Sequence, residues 1–131
     1  MKKLILIITL LALCPQAAAL DTATIEVNVA VNQPPAVGGF LPADGGIITE
    51  GDVLNISVTA SDPNAGDTLQ YRYYINNIEK APWSARSSFN YTLTPNDAGI
   101  NRIKAEVTDG QRVVSTQEAE IFVFRKSPTS P

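Results

Sequence analysis

The sequence predicts an all-β protein, an antiparallel β-sandwich of about seven to eight strands. Three observations carry this. Apolar residues recur at every second position in several stretches, the period of a half-buried strand. No stretch of adequate length shows a helical period. Nine Pro and eight Gly punctuate the chain, so that strand and turn alternate roughly every 8–15 residues, the rhythm of a sandwich.

In "ATIEVNVAVN", Ile25, Val27, Val29 and Val31 share one face, and Thr24, Glu26, Asn28 and Ala30 share the other, which predicts a strand over 24–31. Short strands are expected at 36–41 and 47–48. Over 53–60, Leu54, Ile56, Val58 and Ala60 alternate with Val53, Asn55, Ser57 and Thr59. Over 69–76, Tyr71 and Tyr73 fall with Ile75, and Tyr74 falls with Arg72 on the opposite face. Further strands are expected at 87–94, at 101–108 with Ile103, Ala105 and Val107 inward, and at 112–124, bent or interrupted. Its "AEIFVF" is apolar on both faces, Ile121 and Val123 against Phe122 and Phe124, and is expected to lie covered. Asp109-Gly110 is the strongest hairpin signal, because both turn positions need positive φ and Asp-Gly tolerates it. "TPNDAG" makes at most one short helical turn.

The organisation reads in four parts. Residues 1–19 have the form of a secretory signal peptide: Lys2 and Lys3, the apolar run Leu4 to Leu13, then Ala17 and Ala19 in an A-x-A arrangement with cleavage after Ala19. That run is far shorter than the roughly 20 residues a spanning helix needs, and no membrane span is expected. Residues 20–32 form an N-terminal strand and linker, 33–125 the sandwich, and 126–131 a polar, Pro-rich, disordered tail. The lone Cys14 lies inside the signal region. "LALC" resembles a lipidation site, but Leu13 stands where that motif has Gly, Ala or Ser, so signal cleavage is the preferred reading. A chain cleaved after Ala19 has no thiol. It keeps eight basic and thirteen acidic residues, a net charge of −5. The charges are scattered without a basic stripe, so nucleic acid is not an expected partner. The chain has no His, which removes His-based general bases, Ser-His-Asp triads and His metal sites.

"VNQPPAV", then "ITEGDVLNISVTASDPNAGDTLQYRYYIN", then "AGINRIKAEVTDG" together resemble bacterial immunoglobulin-like domains of the PKD and cadherin-like type. These carry a Pro-rich start, an E-G-D lead into strand B, an S-D-P-D-G-D-T-L turn, an aromatic strand C and a V-x-D-G hairpin. The resemblance covers about residues 32–124. It implies an Ig-like sandwich and a secreted, non-catalytic binding or structural module, serving protein–protein interaction or adhesion at the cell envelope. Three positions depart from the pattern. Asn64-Ala65 replaces the second Asp of the turn, Tyr73 stands where strand C often has Trp, and Asn101 occupies the place of a corner tyrosine after Asp97 and Gly99.

Asp62, Asn64 and Asp67 can converge in one turn, with Asp109 at another strand end. Calcium takes six to eight oxygen ligands, and in cadherin-like relatives acids at such positions bind it between successive repeats. The same residues also suit a plain B–C turn, where Asp, Asn, Pro and Gly supply backbone angles and local hydrogen bonds. The turn is the preferred reading and calcium the alternative; no other cofactor is expected. Tyr74 and Trp83 are the aromatic candidates for a ligand patch, the partner being a protein or a cell-surface polysaccharide. Residues 24–31 can fold back as an edge strand or insert into another subunit by strand exchange. No catalytic residue is expected, since Ser84, Ser87 and Ser88 have no base to activate them. The expected location is the periplasm or the cell exterior.

Overall fold

The computed structural model describes residues 26–29 and 31–128. The chain divides into two units, Met1–Asn32 and Gln33–Pro131. In the first, residues 26–29, 31 and 32 have no regular secondary structure, and Val27, Val29 and Val31 are exposed. The strand expected over 24–31 is thus absent from its described part; alternation favours a strand, but only a ladder partner makes one. The signal peptide 1–19 with Cys14, the remainder of 20–32, and tail residues 129–131 lie outside the described residues. Residues 126–128 are exposed and irregular. Among the described residues no helix is long and apolar enough to cross a membrane.

The second unit is built of β1 (Ala36–Leu41), β2 (Gly46–Thr49), β3 (Val53–Ser61), β4 (Gln70–Ile75), β5 (Ile78–Ser84), β6 (Ser88–Thr92), a 3-10 turn at Pro95–Asp97, β7 (Gly99–Thr108), β8 (Val113–Ser115) and β9 (Ala119–Phe124). One sheet runs β1-β3-β6. The other runs β2-β9-β7-β4-β5, with β8 also paired to β7. Every ladder is antiparallel except β2 with β9, which is parallel. The fold is an Ig-like β-sandwich with nine strands among the described residues.

Side-chain alternation sets the core. Leu54, Ile56 and Val58 of β3 meet Tyr71, Tyr73 and Ile75 of β4, Ile103, Ala105 and Val107 of β7, and Ile121 and Val123 of β9. Each such side chain contributes roughly 1.5–3 kcal/mol on burial. The Tyr73 ring stacks on Phe89 of the facing sheet, centroids 5.7 Å apart. Its hydroxyl donates to the carbonyl of Arg86 at 3.0 Å, so the core keeps its polar handle satisfied. Burial, and secondarily the charge of Tyr71, pushes the Tyr73 phenol up to about 12.

Three expectations are corrected. A whole strand, β5, was not foreseen: "IEKAPWS" carries two charges and a Pro, and it forms on an edge, where a missing N–H is tolerated. Second, the tight hairpin with two positive-φ positions is Asn76-Asn77 (φ 52 and 62) between β4 and β5. At Asp109-Gly110 only the glycine is left-handed (φ 92). Asp109 instead closes a four-residue loop, its Oδ1 accepting from the N–H of Gln111 and Arg112 at 2.7 and 2.5 Å. Third, β9 is covered on one face only, for Phe122 and Phe124 are exposed. The interruption foreseen in 112–124 falls at Thr116, whose N–H and Oγ1 bond the carbonyl and N–H of Ala105 at 2.9 and 3.0 Å. The chain is thereby held on β7 while it passes from β8 to β9.

Candidate functional site

The segments that follow β3 of the smaller sheet and β7 of the larger approach each other, which brings residues far apart in sequence together. Asp62, Asp67 and Asp109 each place one carboxylate oxygen within 4.8 Å of the others. Asp62 Oδ1 accepts from the N–H of Asn64 at 2.7 Å, fixing the turn, while its Oδ2 is buried without a hydrogen-bond partner. Leaving a buried acceptor unsatisfied costs about 1–3 kcal/mol, more if it carries charge. Oxygens sharing one calcium at about 2.3–2.6 Å lie no more than about 5 Å apart, and the three carboxylates meet that limit. An all-oxygen donor set fits calcium or magnesium rather than zinc. Three carboxylates leave further positions for carbonyls or water.

Of the four residues expected around a metal, the structure brings three into one cluster. Asn64 lies in the same turn as Asp62 and Asp67, and its side-chain oxygen accepts from the N–H of Gln33 at 2.8 Å. The turn that carries Asp62 and Asp67 is thus also tied to the start of the domain.

Tyr74 and Trp83 do come together, on the outer face of the larger sheet, but around a cation. The Arg72 guanidinium carbon lies 5.2 Å from the Tyr74 ring centroid and 4.5 Å from that of Trp83. Glu106, opposite Arg72 across the β4–β7 ladder, takes Arg72 Nη2 and Nε at 2.6 and 3.1 Å and the Tyr74 hydroxyl at 3.1 Å. Glu79 adds a contact at 3.4 Å, and Lys104 Nζ stands 5.0 Å from the Tyr74 centroid. The hydrogen bond that Arg72 donates to Glu106 raises the Arg72 pKa despite desolvation. Burial first, then the Glu106 bond, raises that of Tyr74. Arg72 thus stands within cation–π distance of both aromatics.

Sequence reasoning missed one polar centre. Asn101 is buried, donates to the carbonyls of Asp97 and Gly99 at 2.6 and 3.2 Å, and accepts from Asn76 Nδ2 at 2.9 Å. It does locally what a corner tyrosine would do, joining the 3-10 turn to the β4–β5 hairpin. Asp97 Oδ2 accepts from both the N–H and Oγ1 of Thr94 at 2.7 Å. Burial pushes the Asp97 pKa up, but the Thr94 and Tyr91 bonds outweigh it and hold the group below its ordinary value. An Asp three residues after a Thr, with Pro95 between, was the available signal.

The sequence pattern of the bacterial Ig domain family matches residues 32–122. The chain belongs to that family, one of non-catalytic binding or structural modules. A comparison with curated protein sequences found no match. Solved structures share the fold. The immunoglobulin domains 1–5 of Sidekick-1 align with a TM-score of 0.56 and 22% identity, over 70% of this chain and 18% of that one. A quinonprotein alcohol dehydrogenase-like protein from Bacteroides thetaiotaomicron gives 0.51 and 16%, over 71% and 20%. The fibronectin(III)-like modules of Clostridium thermocellum CbhA give 0.52 and 16%, over 70% and 94%. The chain thus spans about a fifth of the first two proteins, and at these identities the likeness is one of fold.

Proposed function

We propose that this chain is a secreted binding module of the PKD and cadherin-like branch of bacterial Ig domains. It acts in the periplasm or outside the cell, in protein–protein contact or adhesion, and one end of its sandwich is fastened by calcium. The observation that carries the calcium reading is the buried, unpartnered Asp62 Oδ2 beside the carboxylates of Asp67 and Asp109. A divalent cation there would satisfy that oxygen and neutralise three like charges gathered at the junction of two strand ends. Through Asn64 and Gln33 the same turn would steady the start of the domain. The signal-like residues 1–19, the acidic composition and the absence of His support envelope location and a non-catalytic role.

The test is calorimetric titration with calcium, alongside thermal melting. Calcium is expected to release binding heat and to raise the melting temperature, as any ligand of the native state does. Asp62→Asn should abolish both effects. An absence of heat and of any change in melting temperature at millimolar calcium would sink the metal and leave the module reading to other tests.

A further inference from the structure

The larger sheet has a second uncommitted feature, on its outer face at the β2 end. Ile47 of β2 lies opposite Phe122 of β9, and Ile100 of β7 lies opposite the same Phe122. Three large apolar side chains therefore stand in one row across three strands, with exposures of 71%, 41% and 66%. Phe124, 52% exposed, packs edge-on against Phe122 at 4.9 Å between centroids. A shallow hollow of about 220 Å³ lies beside the row, against Gly46, Ile100 and Phe122. A contiguous exposed apolar patch of this kind marks an interaction surface.

The row ends at a sheet edge. Sheet edges are ordinarily guarded by charge, Pro, bulges or cover. β5 carries Glu79, Lys80 and Pro82. β1 breaks register between Val37 and Gly39. β6 has Lys80 Nζ over its Tyr91 ring, 5.0 Å from the centroid. β2 reads Gly-Ile-Ile-Thr in unbroken register with β9, its one partner among the described residues. It has no charge, Pro or bulge; it is short, and Asp52 caps its last residue, Oδ2 accepting from the Thr49 N–H at 3.4 Å and the Asp52 N–H donating to the Thr49 carbonyl at 3.1 Å, which leaves Ile47 as the residue open to an added strand. A strand added there would continue the row past Ile47 by one strand spacing, about 4.8 Å.

Charge chooses the occupant. β2 is flanked by Asp44 on one side and by Asp52 and Glu50 on the other, Glu50 being largely buried and 4.0 Å from Arg125, so that, among the described residues, Asp44 and Asp52 are the flanking acids without a cation. A second copy pairing antiparallel through its own β2, outer faces aligned, must set Ile47 opposite Ile47 or Ile48 opposite Ile48. The first register puts Asp44 opposite Glu50, and the second puts it opposite Asp52, in both cases twice. Like charges directly opposite are destabilising. Four large side chains also fall short of the roughly 800 Å² per partner of a standard interface. A short added strand suits the area, because backbone hydrogen bonds supply the affinity and alternate side chains the specificity.

We propose that β2 accepts an extended segment of another protein as an added strand, one with apolar side chains at alternate positions and basic residues at both ends. This rests on the protein-binding part of the function proposed above and is independent of its calcium site.

The test is selection of a random peptide display library on the purified protein in the presence of a calcium chelator. A parallel selection uses the Ile47→Thr, Phe122→Thr double variant. Both positions are exposed and Thr keeps strand preference, so an unchanged melting temperature should verify the variant's fold. The expected peptides alternate apolar and polar residues between Lys or Arg. Labelled copies should bind the double variant about tenfold more weakly by fluorescence anisotropy. Equal enrichment on both proteins, acid-flanked sequences, or no enrichment would overturn the proposal. So would a dimer, seen by sedimentation, that the double variant dissolves, since a second copy would then own the surface. A failed calcium titration leaves this result standing, and the reverse also holds.

Discussion

The outer face of the larger sheet has two halves that solve the same problem differently. Toward β5, the aromatic rings of Tyr74 and Trp83 close around Arg72, and Glu106 ties the cluster together. Toward β2, Ile47, Phe122, Ile100 and Phe124 stand exposed. β7 passes through both: its outward residues run Ile100, Arg102, Lys104, Glu106. Arg102 marks the boundary, pairing with Glu120 at 3.0 Å and Glu118 at 3.5 Å. An outward aromatic is therefore not always an exposed one: Tyr74 and Trp83 are half-buried, Phe122 and Phe124 exposed. Where the cation lies over the rings, as Arg72 does, the aromatics are partly covered; beside Phe122 the nearest cation, Arg102, pairs with Glu120 instead, and the surface stays open.

The largest expected effect of breaking this contrast is at Arg72. Arg72→Ala should destabilise the protein by about 2–3 kcal/mol, because it leaves Glu106 half-buried without its cation and strips packing from two rings. Denaturant unfolding reads the loss; an effect below about 0.5 kcal/mol, the level of an ordinary surface change, would mean the cluster is ornamental. The next effect separates the two faces of β4. The pKa of Tyr73 is raised from 10 to about 12, so its contribution is fully present below pH 10 and is lost as pH rises from there toward 12. The loss is on the order of 2 kcal/mol. Tyr73→Phe should flatten this alkaline limb of a pH-stability curve more than Tyr74→Phe does, and equal slopes would contradict the inner–outer distinction. The smallest effect belongs to the open half. Phe122→Thr should change stability by no more than about 0.5 kcal/mol, since the ring covers little of the core. A loss of about 2 kcal/mol in thermal or chemical melts would show that the row is structural and not a docking surface.

Much of the sandwich was legible because alternation is local. Tyr71, Tyr73 and Ile75 inward with Arg72 and Tyr74 outward followed directly from the period of two, and the burial agrees. β5 was not legible, because an edge strand bearing Pro82 and two charges has no alternation to show. The Asn76-Asn77 hairpin went unseen beside the stronger Asp109-Gly110 signal, which a four-residue loop used differently. The acid cluster was half legible. Asp62 and Asp67 are neighbours in one turn, and Asp109 joins them only because the segments that follow β3 and β7 approach each other.

By itself, the sequence determined the strands of the core, their inward faces and the class of fold, because each depends on a repeat a few residues long. The tertiary structure decided what every outward residue is for. Tyr74 and Phe122 are both outward aromatics on strands of one sheet, and in the local sequence only Arg72, two residues before Tyr74 on the same face, sets them apart. Tyr74 lies across from the ladder position of Lys104 and beside Arg72, while Phe122 lies between Ile47 and Ile100. Apart from Arg72, those neighbours come from other strands, and strand order and register are set by the closing of the whole sandwich around its core.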